Sequence, residues 1–181
     1  MARINKTQYA ILGALSVYPM SGYDIKKWVT DVTGTFWSES PGQVHPTLEN
    51  LVKNSLVICD DSQSIGDRPK KVYTITKKGI TALKSWLSEP AEPTVSRDEF
   101  ILKLFYGQHL SEENYLAHLQ RQKKRMEEDL IRYAMIERHI KKQHKKNVNT
   151  NYWLITLSNA VHHANTEIAW CVHTINKIKR K

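Results

Sequence analysis

The sequence predicts a mainly α-helical fold that carries one small β-wing, and three observations predict it. Apolar residues recur every three or four positions through most of the chain, the period of a helix with one buried face. Two stretches rich in β-branched and aromatic residues, LVICDD and KVYTIT, flank the turn-rich loop DSQSIGDRPK and read as a hairpin. The second half holds two helical patterns far longer than an average globular helix. At 181 residues the chain falls near one domain or two small ones and is long enough to bury a core. Residues 1–89 are expected to form one domain and 96–181 another, with AEPTV as the linker.

The elements follow in order. Ile11, Leu12, Ala14 and Leu15 mark a helix from Thr7 to Val17 that Pro19 stops. Ser21 can cap a second helix, whose Ile25, Trp28, Val29 and Val32 share one side and which Gly34 ends. A third helix opens on Ser40 and Pro41, an N-cap and a first-turn residue by type. Its apolar stripe is Val44, Leu48, Leu51 and Val52. Gln43, Asn50 and Lys53 occupy the other side, with His45 and Thr47 on the flanks and Glu49 at the edge. Pro46 disturbs this pattern: either the first turn is distorted or regular helix begins near Pro46. After the hairpin, Thr76 can cap a fourth helix through Leu83, Trp86 and Leu87 that ends at Glu89-Pro90.

Beyond the linker, a short helix is expected to turn Phe100, Ile101, Leu104 and Phe105 toward a core and to end at Gly107. Ser111 can cap a long helix from about 112 to 146 with the stripe Leu116, Leu119, Met126, Leu130, Tyr133 and Ile140, which Lys123 and Glu137 interrupt. NVNTN breaks it. The last helix repeats Leu154, Leu157, Val161, Ala164, Ile168, Cys171, Ile175 and Ile178 at spacings of three and four. Such a seam must pack against the short helix, the long partner helix or a second chain. Dimerisation is the expected use, with residues 154–175 of the seam at the interface. Trp153 and Trp170, with Phe100, Phe105 and Tyr106, are expected either in a dimer core or as the floor of an aromatic pocket, for which Phe100, Trp153 and Trp170 are the candidates.

Composition narrows the function. The formal charge is +9, which favours an anionic partner such as nucleic acid. Residues 1–90 contribute +3 and residues 91–181 contribute +6, but Arg68, Lys70, Lys71, Lys77 and Lys78 crowd one short stretch of the first half. The basic runs of the second half read as solvated helix faces. Cys59 and Cys171 stand far apart without a motif, which suits a reduced, cytoplasmic setting, and no run is long and apolar enough to span a membrane. No zinc-protease motif, cysteine cluster, nucleophile elbow or glycine-rich phosphate loop occurs, so no enzyme, metal or cofactor is expected.

Three helices followed by a ribbon with a cationic tip make the pattern of a winged helix-turn-helix. The third helix would lie in a DNA major groove with its polar side toward base edges, while the ribbon holds phosphates. A second reading is a protein-interaction adaptor that uses the same scaffold without DNA. The basic ribbon favours the first.

The run GYDIKKWV, TGTFWSESPGQVHPTLENLVKNSLV and GDRPKKVYTITKKGITAL resembles the PadR (phenolic acid decarboxylase repressor) family of bacterial transcriptional regulators over residues 7–88. Its Gly-Tyr-Asp, aromatic-Trp before Ser-Pro-Gly, Arg-Pro-Lys-Lys-x-Tyr and Thr-x-x-Gly elements stand in the family's order. The C-terminal half is similar to the family's longer, virulence-activator-like form. The resemblance implies a homodimer joined through the C-terminal helices, acting as a repressor on a palindromic operator and released by a small aromatic effector. It implies DNA contacts from Tyr23, Gln43, His45, Arg68, Lys70 and Lys71, to which the reading of the third helix adds Ser40, Thr47, Asn50 and Lys53. Three residues depart from the family pattern: His45 stands for Tyr, Gln43 for Ser or Thr, and Ser55 for the Gly that ends the third helix.

Overall fold

The computed structural model describes residues 6–31, 37, 41–61, 71–93 and 97–180, with residues 30, 31 and 41 described by their backbone alone. The chain divides into two compact units, Met1–Pro93 and Thr94–Lys181. In the first, α1 (Lys6–Leu15), β1 (Met20–Ser21), α2 (Gly22–Asp31), a 3-10 turn (Pro41–Gln43), α3 (Val44–Lys53), β2 (Val57–Asp60), β3 (Val72–Ile75) and α4 (Lys77–Ser88) follow one another. Ile11, Leu12, Ile25, Leu48, Leu51 and Val57 are fully buried between the helices and the sheet. Burial of each such side chain contributes about 2 kcal/mol. Tyr9 stacks on Trp86 at 4.5 Å between ring centroids and ties α1 to α4.

The sheet has three strands in the order β1-β3-β2, all antiparallel. Val57 pairs with Ile75 and Asp60 with Val72, which sets the hairpin register. The two-stranded ribbon read from the sequence is thus one strand short. Met20 and Ser21 add an edge opposite Tyr73 and Val72, too short to leave any periodicity. Ser21 serves twice. Its backbone ends β1, and its hydroxyl accepts the Asp24 N–H at 3.2 Å and donates to the Asp24 carboxylate at 2.6 Å, closing the first turn of α2. The predicted end of α2 at Gly34 and the loop tip with Arg68 and Lys70 lie outside the described residues.

The second unit holds α5 (Glu99–Phe105), a 3-10 turn (Gly107–His109), α6 (Glu112–Gln143) and α7 (Thr150–Ile178). Ser111 caps α6 by accepting the Asn114 N–H at 3.2 Å. Glu112 and Glu113 in its first turn, with Lys141 and Lys142 in its last, complement the helix dipole. The two interruptions in the α6 stripe are exposed ion pairs one turn apart, Lys123 with Glu127 at 2.7 Å and Glu137 with Lys141 at 2.6 Å. Such pairs add solubility and about 0.3 kcal/mol each rather than much stability. At the turn into α7, the Thr150 hydroxyl donates to the His144 carbonyl and the Asn149 N–H donates to the Asn147 side chain.

Packing inside this unit already engages part of the seam. Leu157 and Ala164 are buried with Tyr133 and Ile140 of α6, and Leu154 and Val161 pack on the same cluster. Cys171 is buried with Leu119 and Leu104, where Ile175 also packs. Burial pushes the Cys171 thiol up to about 11. Within the chain Leu157, Ala164 and Cys171 are thus buried while Leu154, Val161, Ile168, Ile175 and Ile178 stay half-buried. A heptad pattern alone does not say whether a partner helix is its own or another chain's. The short helix is corrected. Leu104 is buried and Phe100 half-buried, but Phe105 is 79% and Ile101 45% exposed.

The C-terminus of α3 carries the chain's single described non-glycine residue at positive φ. Ser55 has φ of 60°, and the turn closes through Leu56 N–H to Leu51 O at 2.9 Å and Ser55 N–H to Val52 O at 2.9 Å. This is a Schellman turn, in which glycine is the unstrained residue. A few residues on, a Cβ at Gly79 would run into the Leu56 carbonyl oxygen. Urea unfolding of Ser55→Gly is expected to show about 1 kcal/mol more stability, the relief of the left-handed conformation less the larger unfolded-state entropy of glycine. Gly79→Ala is expected to lose about 2 kcal/mol by overpacking at that backbone contact.

Candidate nucleic-acid interface

Among the described residues of the first unit, α3 presents a long, mainly polar outward side. Val44, Thr47, Leu48 and Leu51 are buried, and Gly42, Gln43, His45, Pro46, Glu49, Asn50 and Lys53 are exposed. Pro46 fits without loss. The 3-10 turn ends at Gln43, so Pro46 is the third residue of α3, where a helix start leaves the N–H without an intrahelical acceptor. The distorted-turn alternative is thereby met by the 3-10 segment, while regular helix starts two residues before Pro46.

The far end of α3 is held from several sides. The Thr76 hydroxyl donates toward the carbonyls of Ser55 and Leu56 at 2.9 and 3.1 Å and accepts the Gly79 N–H at 3.0 Å as the N-cap of α4. Thr76 N–H donates to Leu56 O at 3.0 Å. Lys78 Nζ donates to the Asn54 carbonyl at 3.0 Å, so this lysine neutralises the negative end of α3 rather than extending the wing.

The expected contact residues divide as follows. Tyr23 is 72% exposed on the first turn of α2. The His45 ring leans over Gly22 beside it, where a Cβ would come within 3.2 Å of the imidazole. Gln43, His45, Asn50 and Lys53 share the open side of α3, and Lys71 is exposed just before β3. Asn50 is partly engaged, since its Oδ1 accepts from the Asn54 amide at 2.8 Å. Thr47 is a correction: at 3% exposure it belongs to the core side of α3, because three residues from Val44 brings it round to the buried stripe. Ser40, Arg68 and Lys70 lie outside the described residues.

Glu49 belongs to the open side. With Pro46 and Lys53, at spacings of three and four, it lies away from Val44, Leu48 and Leu51. Gln43 and Asn50 lie to one side of it and His45 to the other. Burial raises the Tyr73 phenol pKa, with smaller contributions from Cys59, Asp61 and Glu49, so the Glu49 charge is felt at the sheet. A helical wheel of the stripe turns Lys53 and Pro46 most directly outward, with Glu49 about 40° from Lys53 on the His45 side.

The three aromatic candidates for a ligand pocket do not assemble within one chain. Phe100 meets Trp170 edge-on at 6.1 Å, whereas Trp153 meets His144 at 5.3 Å, and the two tryptophans stand about 25 Å apart along α7. A cleft of about 390 Å³ opens instead between Gly107, Leu110, Glu112, Tyr115, Thr174, Lys177 and Ile178. Among the described residues no group of three or more His, Cys, Asp or Glu is placed to hold a metal ion.

Comparison with known proteins places this geometry. Residues 11–85 match the transcriptional regulator PadR-like family, and residues 96–179 match the virulence activator alpha C-terminal domain. The negative transcriptional regulator PadR of Bacillus subtilis is 36% identical over 106 residues, 58% of this chain and 58% of that protein, so the alignment spans little more than half of the relative. A Bacillus subtilis PadR structure in complex with operator DNA superposes with a TM-score of 0.84 over 97% of this chain and 99% of that one, at 23% identity. Another, in complex with p-coumaric acid, gives 0.76 over 95% and 98% at 26% identity. The winged fold with C-terminal helices is common to all, and with both halves matched the chain belongs to the PadR-like family of transcriptional regulators, in the form that ends in a virulence-activator C-terminal domain.

Proposed function

We propose that this chain is a sequence-specific DNA-binding transcriptional repressor that acts as a homodimer on a palindromic operator and is released by a small aromatic effector. The observation that carries the proposal is the open polar side of α3, exposed along its length and backed by a fully buried stripe. A helix of this kind fits a major groove about 12 Å wide, where every base pair presents its own donors and acceptors. Residues 1–89 form the reading domain. Gln43, His45, Asn50 and Lys53 meet base edges. Tyr23, Ser40 and the wing residues Arg68, Lys70 and Lys71 meet phosphates, which position the domain without selecting sequence.

Bacillus PadR, named a negative regulator and solved with operator DNA, supports both the DNA reading and the sign of regulation. No described helix is long and apolar enough to cross a membrane. Residues 96–181 serve dimerisation, and two copies would present two α3 helices to half-sites about 34 Å apart. With part of the α7 seam used inside the chain, the interface also takes in exposed apolar residues: Ile101, Leu102, Phe105 and Tyr106 on and after α5, with Ile131 and Met135 on α6. For the effector, the cleft between Tyr115 and Ile178 replaces the dispersed tryptophans, since its volume suits a small ligand and Lys177 offers a cation to a carboxylate.

Two experiments test this. Lys71→Ala should weaken binding to every duplex and lower the slope of log affinity against log salt by about 1 for each protomer; an unchanged slope contradicts the wing assignment. Sedimentation should give about twice the 21.0 kDa chain mass, and Ile101→Glu with Phe105→Glu should return the chain to monomer at micromolar concentration; a dimer that survives both substitutions contradicts the α5 interface.

A further inference from the structure

A carboxylate is costly on a surface that docks on DNA. Every unit of negative charge there opposes the phosphates that supply most of the affinity. The open side of α3 nevertheless carries Glu49, exposed and one helical turn from both Pro46 and Lys53. Among the described residues Glu49 forms no ion pair: the exposed pairs that do form by the i, i+4 rule involve Lys103, Lys123, Lys124 and Lys141, and Lys53 is not one of them. Its carboxylate is therefore free to accept a hydrogen bond from whatever lies against the helix.

We infer that Glu49 is a specificity-determining residue, which accepts a hydrogen bond from the exocyclic amino group of one cytosine in each half-site. The inference rests on the DNA-reading proposal and adds a residue to it. Only two groups in the major groove donate, cytosine N4 and adenine N6. Adenine carries the N7 acceptor beside its amino group, and that lone pair repels a carboxylate. Cytosine offers its donor with a C–H alongside, so cytosine is the favoured partner. Over guanine or thymine Glu49 faces only acceptors and is desolvated without compensation, and over adenine the N7 lone pair offsets the amino donor. The same group thus rewards one base and penalises the rest, which an amide such as Asn50, able both to donate and to accept, does less sharply.

The test uses the full chain and a pool of duplexes with a randomised core, from which the wild type selects its preferred site. The selected duplex is then varied one base pair at a time, and binding is compared between wild type and Glu49→Gln, with matching unfolding midpoints as the check that both are folded. Wild type should prefer a C·G pair about tenfold at one position per half-site. Glu49→Gln should lose that preference or move it to A·T, keep the preferences at every other position, and bind unrelated duplex more tightly. An unchanged preference profile, or one flattened equally at all positions, overturns the role of Glu49 while leaving the DNA reading intact. A wild type that selects no site at all overturns both.

Discussion

The inward commitment of α3 governs this molecule. Val44, Leu48 and Leu51 are buried to 2% exposure or less, and that burial fixes the rotation of the helix about its axis. Which polar side chains meet solvent is a consequence, not an independent choice. Rotation is one freedom; translation is the other. The Schellman turn at Ser55, the Thr76 hydroxyl bridging two carbonyls and the glycine at position 79 pin the end of α3 to the start of α4. A helix held at both its face and its end is preorganised, so little of any binding free energy it contributes is spent on ordering.

The strain at Ser55 belongs to the same junction. A left-handed serine costs about 1–2 kcal/mol that glycine would not, yet the turn forms because its two backbone hydrogen bonds and the burial of Leu51 outweigh it. Pro46 shows the opposite case, a residue that looks disruptive in the sequence and is accommodated at no cost by its place in the first turn. Both positions show that helix termini, more than helix interiors, decide how this domain presents its surface.

Much of the fold was legible in the sequence because it rests on local rules. Ser21, Thr76 and Ser111 were readable as caps, the hairpin from its β-branched runs, and the long hairpin from its period. What escaped depends on partners the pattern does not name. Met20 and Ser21 form a strand only because Tyr73 and Val72 come alongside. The α7 seam looks the same whether its partner is α6 or a second chain, and within this chain Leu157, Ala164 and Cys171 are buried against α5 and α6. Phe105 is apolar but exposed, and Thr47 is polar but buried, because side-chain type says less than angular position on the helix. Angular position also puts Glu49 on the exposed arc, between His45 and Lys53. Within one chain Trp153 and Trp170 stay apart, since residues 17 positions apart on one helix do not converge.

The open side of α3 as the surface that touches DNA is tested most directly by amide chemical shifts of the isotope-labelled full chain during titration with its selected duplex. The account predicts that the largest changes fall on residues 42–50, on Tyr23 at the start of α2 and on Lys71 before β3, while Lys84 and Leu87, exposed on α4, hold still. Large changes on α4 or along α7 with residues 42–50 unmoved would contradict it.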